Sequence, residues 1–173
     1  MVQQARLERV ASGLAPTSPG WFVVNAADAA WCSNRELGVA ACIFESDDFV
    51  FKGRPDLPQY EKPHAGFNVR VLLPGRPYER SHAESVQEDF LVVAGTCLLR
   101  IEGEERTLRT WDYVHCPPMT WHTFAATGDE PCVLVAAGNR RDDLHREYEP
   151  GKPAQPGTWE VTRPDRWEEL PWA

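Results

Sequence analysis

This chain of 173 residues has no long apolar run, no paired-cysteine motif and no excess of positive charge. Lysine and arginine number 18 against 26 aspartates and glutamates, a net charge of −8. A nucleic-acid partner requires a basic surface that displaces counterions, so neither DNA nor RNA is an expected ligand. No stretch approaches the ~20 apolar residues of a membrane-spanning helix, and the opening MVQQARLERV lacks the apolar centre of a secretory leader. The five cysteines, Cys32, Cys42, Cys97, Cys116 and Cys132, are odd in number, widely spaced and without a CxxC. That pattern points to thiols in a reducing cytoplasm. Long helical periodicity is missing as well. Proline (15 residues) and tryptophan (7) are plentiful; with a length that suits one domain, they indicate a β-rich fold with many turns.

Chemistry-bearing side chains concentrate in two stretches, PGRPYERSHAESVQEDFLVVAG (residues 74–95) and WDYVHCPPMTWHTF (residues 111–124). His82 and Glu84 are two apart, so on a strand they look the same way and can share a target. Glu88 follows a polar turn and opens the apolar run from Phe90 to Ala94, a buried strand ending at Gly95. A hairpin there returns Glu88 to the side of His82. The second stretch adds His122, and Pro117-Pro118 before it fixes a turn that aims the next strand inward. Two imidazoles with one or more carboxylates form a donor set for divalent first-row metals.

The same residues resemble the motifs of the cupin family. Gly75, six residues, His82-Ala83-Glu84, three residues, Glu88, six residues and Gly95 follow the first motif, with one extra residue before His82 and Glu84 where a second histidine stands in the family. Trp111, five residues, Pro117-Pro118-Met119, two residues and His122 echo the second motif, with Trp111 and Met119 in place of its two glycines. The resemblance covers residues 67 to about 137, and its short inter-motif segment, residues 96–110, is similar to compact microbial cupins. It implies an all-β double-stranded β-helix, a jelly roll with its site inside. One divalent metal per chain is then held by His82, Glu88 and His122, with Glu84 as fourth ligand or as a general base or acid beside a three-ligand centre. Iron, manganese and zinc all fit these donors.

Around the motifs the chain divides into an N-terminal arm (residues 1–20), a barrel with its leading strands (21–138) and a C-terminal extension (139–173). Residues 3–10 read as a short helix, WFVVN as a strand, DAAW as a helix start or turn capped by Asp28, and residues 38–45 and 49–52 as strands. The proline-bearing loop KGRPDLPQYEKPHAG is long enough to serve as a lid or flap. FNVRVLL alternates, with Phe67, Val69, Val71 and Leu73 on one face and Asn68, Arg70 and Leu72 on the other. Gly103-Glu104 marks a hairpin, and VLVAA is a last core strand. Trp159, Trp167 and Trp172 are costly to leave exposed and should dock on the barrel or on a second subunit.

Arg70, Tyr78 and Arg80 are the substrate-binding candidates. An inward arginine suits an anionic ligand or pairs with Glu79, Glu84 or Glu102. His115 and Cys116 fall on opposite faces of one strand, and packing or exposure explains them; His64 and His145 read as surface groups, although His64 lies in the loop that could close over the site. Trp111 and Trp121 line the pocket mouth or pack. The expected protein is a cytoplasmic homodimer that takes a small, anionic molecule. It is either a metal-dependent enzyme of oxygenase, isomerase or lyase type, or a non-catalytic binding or sensing module.

Overall fold

The computed structural model describes residues 1–44, 64–76, 80–140, 143–151 and 157–173. Tyr78, the 49–52 strand and most of the proline-bearing loop lie outside them. Among the described residues there are thirteen strands, and no helix is long and apolar enough to cross a membrane.

The first two strands, β1 (Leu7–Val10) and β2 (Gly13–Pro16), form an antiparallel hairpin where a helix is expected from sequence. Tertiary contacts outweigh helical propensity here. Leu14 N–H bonds to Asp28 O at 2.7 Å and Ala30 N–H to Leu14 O at 2.8 Å, so β2 is stitched to the chain leading into β3 (Trp31–Asn34). Gly13 allows this close approach, because a Cβ there would overlap the backbone of Ala29. WFVVN is not a strand: Trp21 makes an isolated bridge to Gln4, and Val23 is exposed. The turn after it is capped by Asn25, whose Oδ1 accepts from Ala27 N–H at 2.8 Å, and not by Asp28.

Two sheets face each other. The larger has the order β10-β7-β12-β5-β4-β3 and the smaller β13-β6-β11-β8-β9. Their strands are β4 (Val39–Cys42), β5 (Ala65–Leu72), β6 (His82–Glu84), β7 (Glu88–Ala94), β8 (Thr96–Ile101), β9 (Glu104–Arg109), β10 (Tyr113–Cys116), β11 (His122–Ala126), β12 (Cys132–Asn139) and β13 (Arg146–Tyr148). From β5 to β13 sequential strands alternate between the sheets as the chain winds, which makes this the double-stranded β-helix, a jelly roll. β8 and β9 are the exception, joined within one sheet by a two-residue turn. Glu102 (φ 49°) and Gly103 (φ 81°) both take the left-handed conformation there, as a hairpin of that length requires.

Between the sheets Leu72, Phe90, Val92, Leu99, Phe124 and Leu134 form the main core. The outer face of the large sheet is covered too. Val71, Leu73 and Val133 pack with Trp31 and Leu170, and the rings of Trp167 and Trp172 close over them. Trp31 stacks on Trp172 at 5.3 Å and meets Trp167 edge-on at 5.8 Å. Strands buried on both faces read as continuous apolar runs, which is why VLVAA shows no polar alternation. All five cysteines are buried and no disulfide joins them.

Candidate metal centre

His82 and His122 are direct cross-strand partners on β6 and β11, so their side chains leave the small sheet on the same face. Their ring centroids lie 4.7 Å apart. Glu88 arrives differently from the expected hairpin. β6 and β7 belong to opposite sheets, and the turn at residues 85–87 carries the chain across the barrel, so Glu88 faces the histidines from the other wall. One donor atom from each of His82, Glu88 and His122 lies within 4.8 Å of the others, and all three residues are buried.

Backbone carbonyls fix the imidazoles. His122 Nδ1 lies 2.9 Å from Thr120 O, and His82 Nδ1 3.3 Å from Arg80 O. A carbonyl only accepts, so each Nδ1 carries the proton and donates, leaving the Nε2 lone pair for the cavity. His122 Nε2 and Glu88 Oε2 are 3.4 Å apart, yet both are buried without a hydrogen-bond partner. Their separation is not an ion pair. Burial lowers the His122 pKa, and burial followed by the charge of Glu84 raises that of Glu88 to about 7. Burial, with His122, Arg146 and Arg70 adding to it, pushes His82 down to about 2. Neutral imidazole nitrogens beside an unsatisfied carboxyl oxygen are what a divalent cation requires, so the residues fit a metal.

Glu84 is not part of that group. Its side chain is 1% exposed, and Oε1 accepts from Nε of Arg146 at 2.7 Å and also from Nη2. Arg146 is the register partner of Glu84 on β13. Although burial opposes it, the carboxylate keeps the guanidinium above its ordinary range. Glu84 Oε2 is buried without a hydrogen-bond partner. Beside this pair Tyr148 stands opposite His82, with the rings 6.0 Å apart and the Arg80 guanidinium 4.8 Å from the Tyr148 ring centre. Arg80 also donates from Nη2 to Glu149 O at 3.1 Å.

On the opposite wall Arg70 of β5 acts electrostatically on His82, Glu88 and His122. Arg140 acts on Glu88 from beyond β12. Gly66 and Gly138 are cross-strand partners, and a Cβ on Gly66 would overlap the Arg140 guanidinium. The glycine therefore makes the arginine's seat. Arg140, Arg146 and Tyr148 escape a reading from sequence because they follow Gly138, in a segment that looks like solvated tail. The alternation of Arg146 and Tyr148 within HREYE is the signal that marks them.

The other candidates separate cleanly. His115 is exposed, its Nδ1 2.7 Å from Asp89 Oδ1, which also accepts from Tyr113 OH at 2.7 Å. Cys116 points the other way into the core, where burial pushes its thiol up to about 12. His64 and His145 are both exposed; His145 N–H donates to Ser85 Oγ at 3.0 Å. Trp111 is exposed on a turn, and Trp121, half-buried, donates its backbone N–H to Glu102 Oε1 at 2.6 Å.

Residues 68–138 match the sequence model of the cupin domain family. The chain is 30% identical over 69 residues to gentisate 1,2 dioxygenase 1 of Aquipseudomonas alcaligenes, which covers 39% of this chain and 19% of that protein. It is 29% identical over 65 residues to a 5-nitrosalicylic acid 1,2-dioxygenase of Bradyrhizobium sp, covering 38% of this chain and 31% of that one. The matched segment thus spans less than a third of either relative's length. Among solved structures, a cupin-like protein of Thermotoga maritima superposes with a TM-score of 0.50 at 20% identity, covering 69% of this chain and 79% of that one, a likeness of fold.

Proposed function

We propose, for a chain that belongs to the cupin superfamily, a metal-dependent enzyme of the oxygenase type acting on a small aromatic carboxylic acid. The observation that carries this reading is the set of three buried donors within 4.8 Å, two of them imidazoles turned by backbone carbonyls to offer Nε2. Two histidines and one carboxylate with open positions are the set used by non-haem iron(II) oxygenases. His82, Glu88 and His122 would hold the ion, and iron, manganese or zinc in that position supplies Lewis acidity, iron and manganese also redox chemistry with dioxygen.

The chain's own residues do the rest. The charges of Arg70, Arg140 and Arg146 act on Glu88, and Arg146 also pairs with Glu84. Guanidinium groups at the site suit an anion, each matching a carboxylate in plane. Arg70 and Arg80, with Tyr78, are the proposed substrate contacts. Phe90 and Phe124 pack beside His122 at 5.2 and 6.0 Å and keep water from one side of the site. The acids in the names of the two curated relatives are both hydroxybenzoic acids, which sets the first compounds to try.

The test begins with protein purified without chelator or histidine tag and its metal content by elemental mass spectrometry. About one iron, manganese or zinc ion per chain is expected, followed by oxygen uptake with gentisate or 5-nitrosalicylate. No metal, and none taken up when offered, overturns the reading. Metal and ligand binding without turnover of these or other ring acids would recast the chain as a binding module.

A further inference from the structure

We infer that Arg146 sets the ligand count of the centre by holding Glu84 out of it, and that Glu84 Oε2 is thereby left to accept a hydrogen bond from substrate. The inference rests on the metal reading above.

Nothing in the strand itself keeps Glu84 away from an ion. It lies two residues from His82 on β6, it is buried, and its charge is felt by both Glu88 and His122. The restraint comes from β13. Register places Arg146 directly opposite, and two guanidinium nitrogens engage one oxygen, Oε1. A guanidinium stays charged at any working pH. It occupies the lone pairs of Oε1 and repels a cation that approaches the carboxylate, while the planar fork fixes the carboxylate's orientation.

Glu88 has no such partner at Oε2, and neither has Glu84 at its own Oε2. The two free oxygens differ in what stands beside them. Glu88 Oε2 faces the His122 nitrogen at 3.4 Å and belongs with the ion. Glu84 Oε2 belongs to a carboxylate already neutralised by Arg146, so a ligand O–H or N–H satisfies it better than a second positive charge. Arg146 is in this sense a positioning residue, and three protein ligands leave the remaining coordination positions open.

Manganese(II) alone serves as the probe, with free ion followed by electron paramagnetic resonance and ion-bound water counted by proton relaxation. The wild type and Glu84→Gln should bind with affinities within about threefold and show the same number of exchangeable waters. Arg146→Met should bind about tenfold more tightly, the scale on which groups beside a ligand act, and lose one water as Glu84 moves onto the ion. Arg146→Met combined with Glu84→Gln should return both readings to the wild-type values. A tenfold weaker Glu84→Gln would overturn the inference, since Glu84 would then be a ligand already; it decides the matter even where Arg146→Met does not fold. An Arg146→Met protein with unchanged affinity and water number overturns it also. A wild type that takes up no manganese removes the metal reading itself, and the inference with it.

Discussion

Glu84 and Glu88 are the same side chain four residues apart, both buried and both turned toward one cavity, yet their surroundings oppose each other. Glu84 lies on β6 of the small sheet, against an arginine on the neighbouring edge strand β13. Glu88 opens β7 of the large sheet, flanked by Cys116 and Gly138, and no guanidinium is bonded to its Oε2. A carboxylate with a fixed cation is neutralised within the protein. A carboxyl group whose Oε2 has no bonded partner, its pKa raised to about 7 by burial and by its neighbour's charge against the opposing charges of Arg70, Arg146 and Arg140, has its negative form stabilised further by a cation that comes from outside. Chemistry of this kind is decided by the partner across the strand more than by the residue itself.

The largest expected effect follows directly. Glu88→Gln keeps the shape and removes the ligand, so metal affinity should fall by more than the roughly 100-fold that loss of a group outside the coordination shell causes, read by titration with cobalt or zinc. Its metal-free stability below about pH 6, where the Glu88 carboxyl with its pKa of about 7 is protonated, should change by less than about 1 kcal/mol, an amide and a neutral carboxyl being near equivalents. Equal loss in Glu84→Gln would erase the contrast between the two residues.

Stability should show the opposite ranking. Removing Arg146 by Arg146→Ala leaves the Glu84 carboxylate, 1% exposed, without compensation, at a cost of about 3 kcal/mol, the lower end for breaking a buried pair. That end is chosen because Arg146 itself keeps 21% of its side chain exposed. The double variant with Glu84→Gln should recover most of the loss, because no buried charge then remains unpaired. Urea unfolding of the metal-free protein measures both, and additive losses would mean that the pair is not coupled.

A smaller effect is expected at the Glu88 wall. Gly66→Ala places a methyl where the Arg140 guanidinium lies. The far end of a flexible side chain moves cheaply, so stability should change by less than about 1 kcal/mol. An anion near Glu88 would lose one charge-assisted hydrogen bond, about 1.5 kcal/mol or roughly tenfold in affinity. Calorimetry with 5-nitrosalicylate tests it; unchanged affinity would take Arg140 out of the binding surface.

Short strands and turn residues are local properties and were enough to read an all-β barrel, while the resemblance of the two motifs to the cupin family supplied the jelly roll and the grouping of His82, Glu88 and His122. The route by which Glu88 reaches the histidines was not legible, since spacing cannot tell a hairpin from a crossing between sheets. Arg146 and Tyr148 stayed hidden for a related reason. A three-residue edge strand carries almost no periodic signal, and its neighbour β6 is separated from it by more than sixty residues. The N-terminal hairpin reads as helix because Leu7 and Val10 are three apart, while the bonds from Leu14 to Asp28 and Ala30 that decide the matter are long-range.

The second motif makes its own contrast with the first. Gly75 and Gly95 keep the left-handed backbone, both at φ 72°, and so do the non-glycine residues where the family has glycines, Trp111 at φ 77° and Met119 at φ 68°. A side chain in that region costs roughly 1–2 kcal/mol, offset in part by the greater unfolded-state freedom of glycine. Trp111 is 73% exposed and loses little packing when removed, so Trp111→Gly should stabilise by about 0.5–1 kcal/mol. Met119 is 38% exposed, and its N–H bonds to Glu84 O at 2.7 Å, at the same end of β6 that Arg146 meets. Met119→Gly preserves that bond while losing some burial, so its gain should be smaller and near zero. Urea midpoints rank the two variants. A clear loss of stability in Met119→Gly would show that the thioether chain helps to hold Glu84, and would widen the difference between the two glutamates to include a second support.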